Sequence, residues 1–226
     1  MTAGGTRASG AVFDLDGLLL DSEPVWRAVH REVFGEVGVD LARWPGVVTT
    51  GMRVDEVVAL RRSLQDWGDP DDDAMVAEIT RRVAERVPRD AELLPGAVEA
   101  IDWCRSHGLA VGLATGSTWV VLDAVLRRFG LASHLDAVVS AEDEPFGKPH
   151  PSVFLAAAGK LGVDPTACLA FEDSLNGVIA AKAARMRTVA VPWGTSLGEA
   201  RLVVADLQLQ SLLEIDDGRV AALAGL

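Results

Sequence analysis

The sequence predicts an α/β fold in which a doubly wound parallel sheet forms the core and an α-helical cap is inserted after the first strand. Three observations predict it. Short apolar runs alternate with stretches of helical spacing from residue 95 to about residue 191. Another apolar run, AVF at 11–13, stands far upstream of them, and the residues between carry helical patterns alone. Repeated βα units require parallel strands, because each crossover returns the chain to the same end of the sheet. On this reading residues 1–20 and 96–226 form the Rossmann-like core and residues 21–95 the cap.

Each element has its own signal. The first strand is the apolar run 11–13, which ends abruptly in DLDG. Three helices follow in the insert: 24–36, ended by Gly38; 54–67, ended by Gly68; and 71–87, ended by Pro88. The aspartates at 71–73 suit the positive end of the third helix. Pro95 and Gly96 open an amphipathic helix, AVEAIDWCRSHG, which Gly108 closes. LAVGLA at 109–114 is the second strand, 119–129 a helix ended by Gly130, and AVVS at 137–140 the third strand. The helix 152–161 stops at Gly162, ACLAF at 167–171 is the next strand, 175–185 a helix, and TVAV at 188–191 a strand halted by Pro192.

Composition narrows the function. At 226 residues the chain holds one sizeable core plus an insertion, and its 49% hydrophobic and 24% charged residues are those of a soluble globular protein. A net charge of −12 opposes nucleic acid and anionic membrane as partners, since both select a basic surface. A small phosphorylated metabolite stays compatible, because a metal and a few cations reverse the field locally. Cys104 and Cys168 fall in patterns of buried helix and strand, which suggests free core thiols in a reducing compartment. No apolar run approaches the roughly 18 residues a membrane span needs, and MTAGGTRASG lacks the apolar core of a signal peptide. The expected location is the cytoplasm, with a frayed N-terminus and a monomeric chain.

In an open parallel sheet the residues just past the carboxyl ends of the strands converge in space. Strand one delivers Asp14 and Asp16. Like charges at i and i+2 repel and are costly to desolvate, so something positive is expected beside them. An EF-hand loop is excluded, because its fifth and sixth positions, an oxygen ligand and Gly, are here Leu18 and Leu19. A strand-to-turn corner whose carboxylates cap backbone N–H groups is the plainer alternative. The second strand delivers Thr115, Gly116 and Ser117, small residues running into a helix N-terminus that suits an anion. The third is followed by Glu142, Asp143 and then Lys148 in FGKPHP, and the fourth by Glu172, Asp173 and Ser174. Each has an ordinary use as a helix cap or a solvated loop charge, but their convergence in one crevice favours a phosphate site.

DLDG after strand one, Thr115 after strand two, Lys148 before a proline and EDS at 172–174 resemble the four motifs of the haloacid dehalogenase superfamily. The similarity covers nearly the whole chain. It implies a Rossmann-like core, and an insert between the first two motifs places the chain in the branch with helical caps. DGLLLDSEP resembles the phosphatase and β-phosphoglucomutase-like members of that branch. More narrowly, DSEPVW, TGMRVDEVV, SAEDEPFGKPHP and KAARMRTVAVP resemble the hexitol phosphatase and 2-deoxyglucose-6-phosphatase group.

The resemblance implies a magnesium-dependent phosphatase for small sugar or sugar-alcohol phosphates. Asp14 would be the nucleophile that forms an aspartyl phosphate, and Asp16 the acid and then the base. Magnesium would be held by Asp14, the Asp16 backbone carbonyl and Asp173, with Glu172 either behind them or a direct ligand. Thr115, Gly116 and Ser117 would hold phosphoryl oxygens, and Lys148 would neutralise Asp14 and the phosphate together. In the cap, Arg53 falls where mutase relatives carry an arginine for the distal end of the substrate. Glu23 and Trp26 would face the leaving group. A β-phosphoglucomutase-type phosphoryl transfer is the alternative, but those relatives carry a histidine where this chain has Trp26. A non-catalytic protein on the same fold would be expected to have lost one of Asp14, Asp16, Thr115, Lys148 or Asp173.

Overall fold

The computed structural model describes residues 7–216 and 218–226. Residues 1–6 of the expected frayed start lie outside them. Six parallel strands form one sheet: β1 (Gly10–Phe13), β2 (Ala110–Thr115), β3 (Ala137–Ser140), β4 (Cys168–Glu172), β5 (Arg187–Ala190) and β6 (Leu207–Gln208), in the order β3-β2-β1-β4-β5-β6. Sequence spacing misses β6, because two residues are too few to show alternation. Its position is set instead by Asp206, whose carboxylate accepts from the Thr188 amide at 2.7 Å and from Lys182 at 2.7 Å.

The period-two alternation of strands assigns each side chain to a face. Ala11, Phe13, Val111, Leu113, Leu169, Phe171 and Val189 point to one side, where α4 (Ala97–Ser106), α5 (Trp119–Phe129) and α8 (Arg219–Ala224) cover them. Val12, Ala114, Val139 and Ala170 point to the other, under α6 (Ser152–Leu161) and α7 (Leu175–Ala183). The register sets Phe13 opposite Phe171, with rings stacked at 4.4 Å. These residues immediately precede Asp14 and Glu172, so core packing fixes where the acidic strand ends lie.

Between β1 and α4 stand α1 (Glu23–Glu36), α2 (Val54–Leu64) and α3 (Asp72–Asp90). Met75, Ile79, Val83 and Val87 recur at helical spacing and bury one face of α3, each contributing about 1.5–3 kcal/mol. α3 begins one residue later than the spacing predicts, because Asp71 is its N-cap and accepts from the Ala74 amide at 2.9 Å. It also runs through Pro88. Proline forfeits its own N–H bond and crowds the carbonyl four residues back, but in the last turn the ladder still closes behind it through the Ala91 amide and the Val87 carbonyl at 3.0 Å. α2 ends at Leu64, three residues short of the expected Trp67. Gln65 leaves the helix to donate to the Gly38 carbonyl at 3.1 Å, and Trp67 packs edge-on against Phe34. Cys104 and Cys168 are buried and unbridged. Among the described residues no helix is long and apolar enough to cross a membrane.

Candidate active site

Asp14 follows β1 directly, and its amide donates to the Phe171 carbonyl at 3.0 Å, so it is seated by the ladder. Lys148 comes from the loop after β3 and is buried among three acceptors. Its Nζ donates to Asp14 Oδ1 and Glu172 Oε1, each at 2.6 Å, and to the Ala114 carbonyl at 3.1 Å, which uses all its protons. Burial works against its charge, but Asp14 and Glu172 outweigh burial and hold the ammonium above its ordinary range. Asp14 moves the opposite way from a simple ion pair. Burial raises its carboxyl, Lys148 pulls it back, and Glu172 and Asp16 push it up again.

The cluster is short of positive charge. Asp14, Glu172 and Asp173 each offer a carboxylate oxygen, all within 4.8 Å of one another, around one lysine. Asp173 Oδ1 is buried without a hydrogen-bond partner. Burial, then Glu172 and Asp14, raise Asp173 well above the carboxylate range. An orphaned oxygen among hard carboxylate donors fits a divalent cation such as magnesium. Glu172 is already committed through both oxygens, to Lys148 and to the amide and hydroxyl of Ser174 at 3.0 and 3.1 Å. Asp14 and Asp173 therefore stand nearer to a free ligand role than Glu172. Gly17 permits this closeness: its φ is +86°, and a Cβ there would lie 2.5 Å from Asp173 Oδ2.

Asp16 is not part of that carboxylate cluster. Its Oδ2 accepts from the Ser117 hydroxyl at 2.6 Å and from Thr115 Oγ1 at 3.3 Å. Its Oδ1 accepts from the Ser22 hydroxyl and from Trp26 Nε1 at 3.2 Å. Two carboxylates two residues apart thus face different surroundings, because extended geometry ends at Phe13 and Gly17 turns the chain. Ser22 was not marked by any periodic signal, although DSEP places a hydroxyl six positions after Asp16.

Asp14, Asp16, Glu23, Gly116, Ser117 and Asp173 line one cavity, whose opposite wall is built by Trp26, Arg27, His30, Met52, Val54 and Val57. His30, too, escaped the sequence reading, since its spacing is that of a packed helix residue. Burial, then the nearby Arg61, push it down to about 4, so it meets the cavity uncharged. Glu23 lines the cavity while bonded to Thr195 through that residue's amide and hydroxyl. Gly116 packs under the insert: a Cβ there would lie 3.2 Å from the Gly51 carbonyl oxygen.

Thr115, Lys148 and Glu172 are buried behind the cavity surface, while Arg53, Glu142 and Asp143 make their contacts away from the cluster. Arg53 does not line the cavity; it bonds Asp55 and the carbonyls of Ala141 and Glu144. Glu142 and Asp143 turn to Trp119, whose amide and indole N–H they accept at 2.7 and 2.9 Å. Glu142 thus caps the start of α5 and Asp143 holds the indole beside it, instead of joining the acidic cluster; the unpaired amides of a helix N-terminus favour the first of these.

The sequence model of the haloacid dehalogenase-like hydrolases matches residues 8–185. Hexitol phosphatase B of Escherichia coli strain K12 is 45% identical over 206 residues, which cover 91% of this chain and 93% of that protein. Fructose-1-phosphate phosphatase of the same organism is 35% identical over 185 residues, covering 82% of this chain and 97% of that one. The crystal structure of CbbY from Rhodobacter sphaeroides in complex with phosphate superimposes with a TM-score of 0.82 at 26% identity, over 92% of this chain and 96% of that chain.

Proposed function

The chain belongs to the haloacid dehalogenase-like hydrolases and is a phosphoric monoester hydrolase, and from that premise we propose that it cleaves small sugar or sugar-alcohol phosphates through an aspartyl phosphate on Asp14. One observation carries the reading: Asp14 and Asp16 are held apart in role. Lys148 fixes Asp14 Oδ1, which leaves Oδ2 for in-line attack on phosphorus. Asp16, among hydroxyl and indole donors on the side of the cavity, donates its proton to the leaving alkoxide as the P–O bond breaks. In the second half, Asp16 takes a proton from water as the water oxygen attacks the phosphoryl group, and Asp14 leaves as a carboxylate.

Thr115, Gly116 and Ser117 are the residues set to hold phosphoryl oxygens, the Ser117 amide donating to Thr115 Oγ1 at 3.0 Å in this structure, and Lys148 balances charge on Asp14 and the transferring group. Magnesium, held by Asp14, Asp173 and the Asp16 backbone carbonyl, would neutralise phosphate charge and align the group for attack. The acidic cluster with its orphaned Asp173 oxygen supports that ligand set. The partner is a small phosphorylated metabolite met by a monomeric enzyme in the cytoplasm. A panel of phosphorylated hexoses, hexitols, glycerol phosphate and phosphoglycolate, assayed for released phosphate with magnesium, tests the reading. A six-carbon substrate is expected to give the highest kcat/KM. Preference for phosphoglycolate over every sugar phosphate would overturn the substrate class.

A further inference from the structure

Around the start of α2 the chain does two jobs at once. Thr50, Gly51, Met52, Val54 and Val57 line the cavity, whereas Arg53 and Glu56, three residues apart and so on one helix face, reach the core. Arg53 Nη1 donates to the carbonyls of Ala141 at 3.1 Å and Glu144 at 2.7 Å. Glu56 Oε1 accepts from the Gly147 amide at 2.8 Å, one residue before Lys148. The lysine loop otherwise braces itself: Ser152 Oγ donates to the Phe146 carbonyl at 3.0 Å and the His150 amide to the Gly147 carbonyl at 2.9 Å. The Gly147 N–H takes its partner from the insert alone.

Gly147 itself records the fit. Its φ lies outside the left-handed region, so backbone conformation does not require glycine there. Space does. A Cβ at 147 would collide with Glu56 Oε2 and lie 2.9 Å from Arg53 Cγ. The glycine is therefore the seat into which the two side chains of α2 fit.

We infer that Glu56, seated with Arg53 on the lysine loop, is a positioning residue for hydrolysis: it sets the cavity wall of α2 at a fixed distance from Asp14 and Lys148. Leaving groups long enough to touch that wall are thereby held in line, and short ones are indifferent to it. This rests on the proposed function for its substrate class.

The test uses a six-carbon polyol monophosphate, whose leaving group reaches the wall, and acetyl phosphate, whose leaving group does not. Glu56→Ala is expected to lower kcat/KM for the six-carbon ester about tenfold, the factor lost with one charge-assisted hydrogen bond. It leaves kcat/KM for acetyl phosphate within about twofold. Glu56→Gln keeps an oxygen acceptor for the Gly147 amide and recovers most of kcat/KM, short of the part owed to the charge. Gly147→Ala reproduces the Glu56→Ala effect, and the double variant costs less than the sum. Wild-type behaviour of Glu56→Ala on both substrates, or equal loss on both, overturns the inference. If the wild-type enzyme cleaves acetyl phosphate but no polyol phosphate, the substrate reading fails and the seat is judged by amide hydrogen exchange. Faster exchange at Gly147 in Glu56→Ala than in Glu56→Gln sustains it; equal rates overturn it.

Discussion

The indole Nε1 of Trp26 donates to Asp16 Oδ1 at 3.2 Å, so a residue of the insert is bonded to the carboxylate assigned to proton transfer. With its single N–H spent on Asp16, the indole has no further donor or acceptor with which to orient a returning sugar hydroxyl. Water is then expected to win the competition for the aspartyl phosphate, because no positioned acceptor has the advantage of proximity. β-Glucose 1-phosphate with a trace of the 1,6-bisphosphate and magnesium should release inorganic phosphate without forming glucose 6-phosphate. Glucose 6-phosphate appearing faster than free phosphate would move the chain to the mutases.

Asp14→Asn keeps the shape of the side chain and removes the proposed nucleophile. Turnover should fall by at least about 10³-fold, while the circular dichroism spectrum and the melting transition persist. Phosphate release at the wild-type rate would exclude the aspartyl mechanism.

Magnesium bound at the under-neutralised cluster of Asp14, Glu172 and Asp173 would stabilise the fold as well as serve the proposed reaction. Binding to the native state alone raises the melting temperature, by about 2.7 kcal/mol of stability at a hundredfold excess over Kd. Asp173→Asn should abolish the magnesium-dependent shift and the activity together. Chelator should stop the wild-type enzyme and added magnesium restore it; full turnover in excess chelator removes the metal from the mechanism.

Lys148 is bonded to both Asp14 and Glu172, so Lys148→Met removes the cation that the two carboxylates share. A kcat loss of about 10²–10³-fold is expected, as for loss of one preorganised charge-stabilising donor. A change confined to KM would assign the lysine to ground-state binding only.

The stacked pair Phe13 and Phe171 bears on stability. Phe171→Ala should cost about 3–5 kcal/mol in urea unfolding, because it empties a fully buried site between two central strands. A loss below about 1 kcal/mol would mean that the site collapses around the vacancy.

The sequence by itself determined the layered α/β order and the positions of Asp14, Asp16, Thr115, Lys148 and Asp173, because alternation and turn residues are local and parallel strands must end on one side. It could not see β6, which has too few residues for a period, nor that α3 continues through Pro88. Only the tertiary structure decided which acids share a site. Asp14 and Asp173 meet across neighbouring strands β1 and β4, while Glu142 and Asp143, equally acidic and equally placed after a strand, are drawn to the Trp119 N–H groups. It likewise decided that Arg53 serves the carbonyls of Ala141 and Glu144, some ninety residues away, instead of the cavity. A guanidinium of given spacing can satisfy either, and the choice depends on which acceptors the packed helices bring within about 3 Å, a distance that no local pattern encodes.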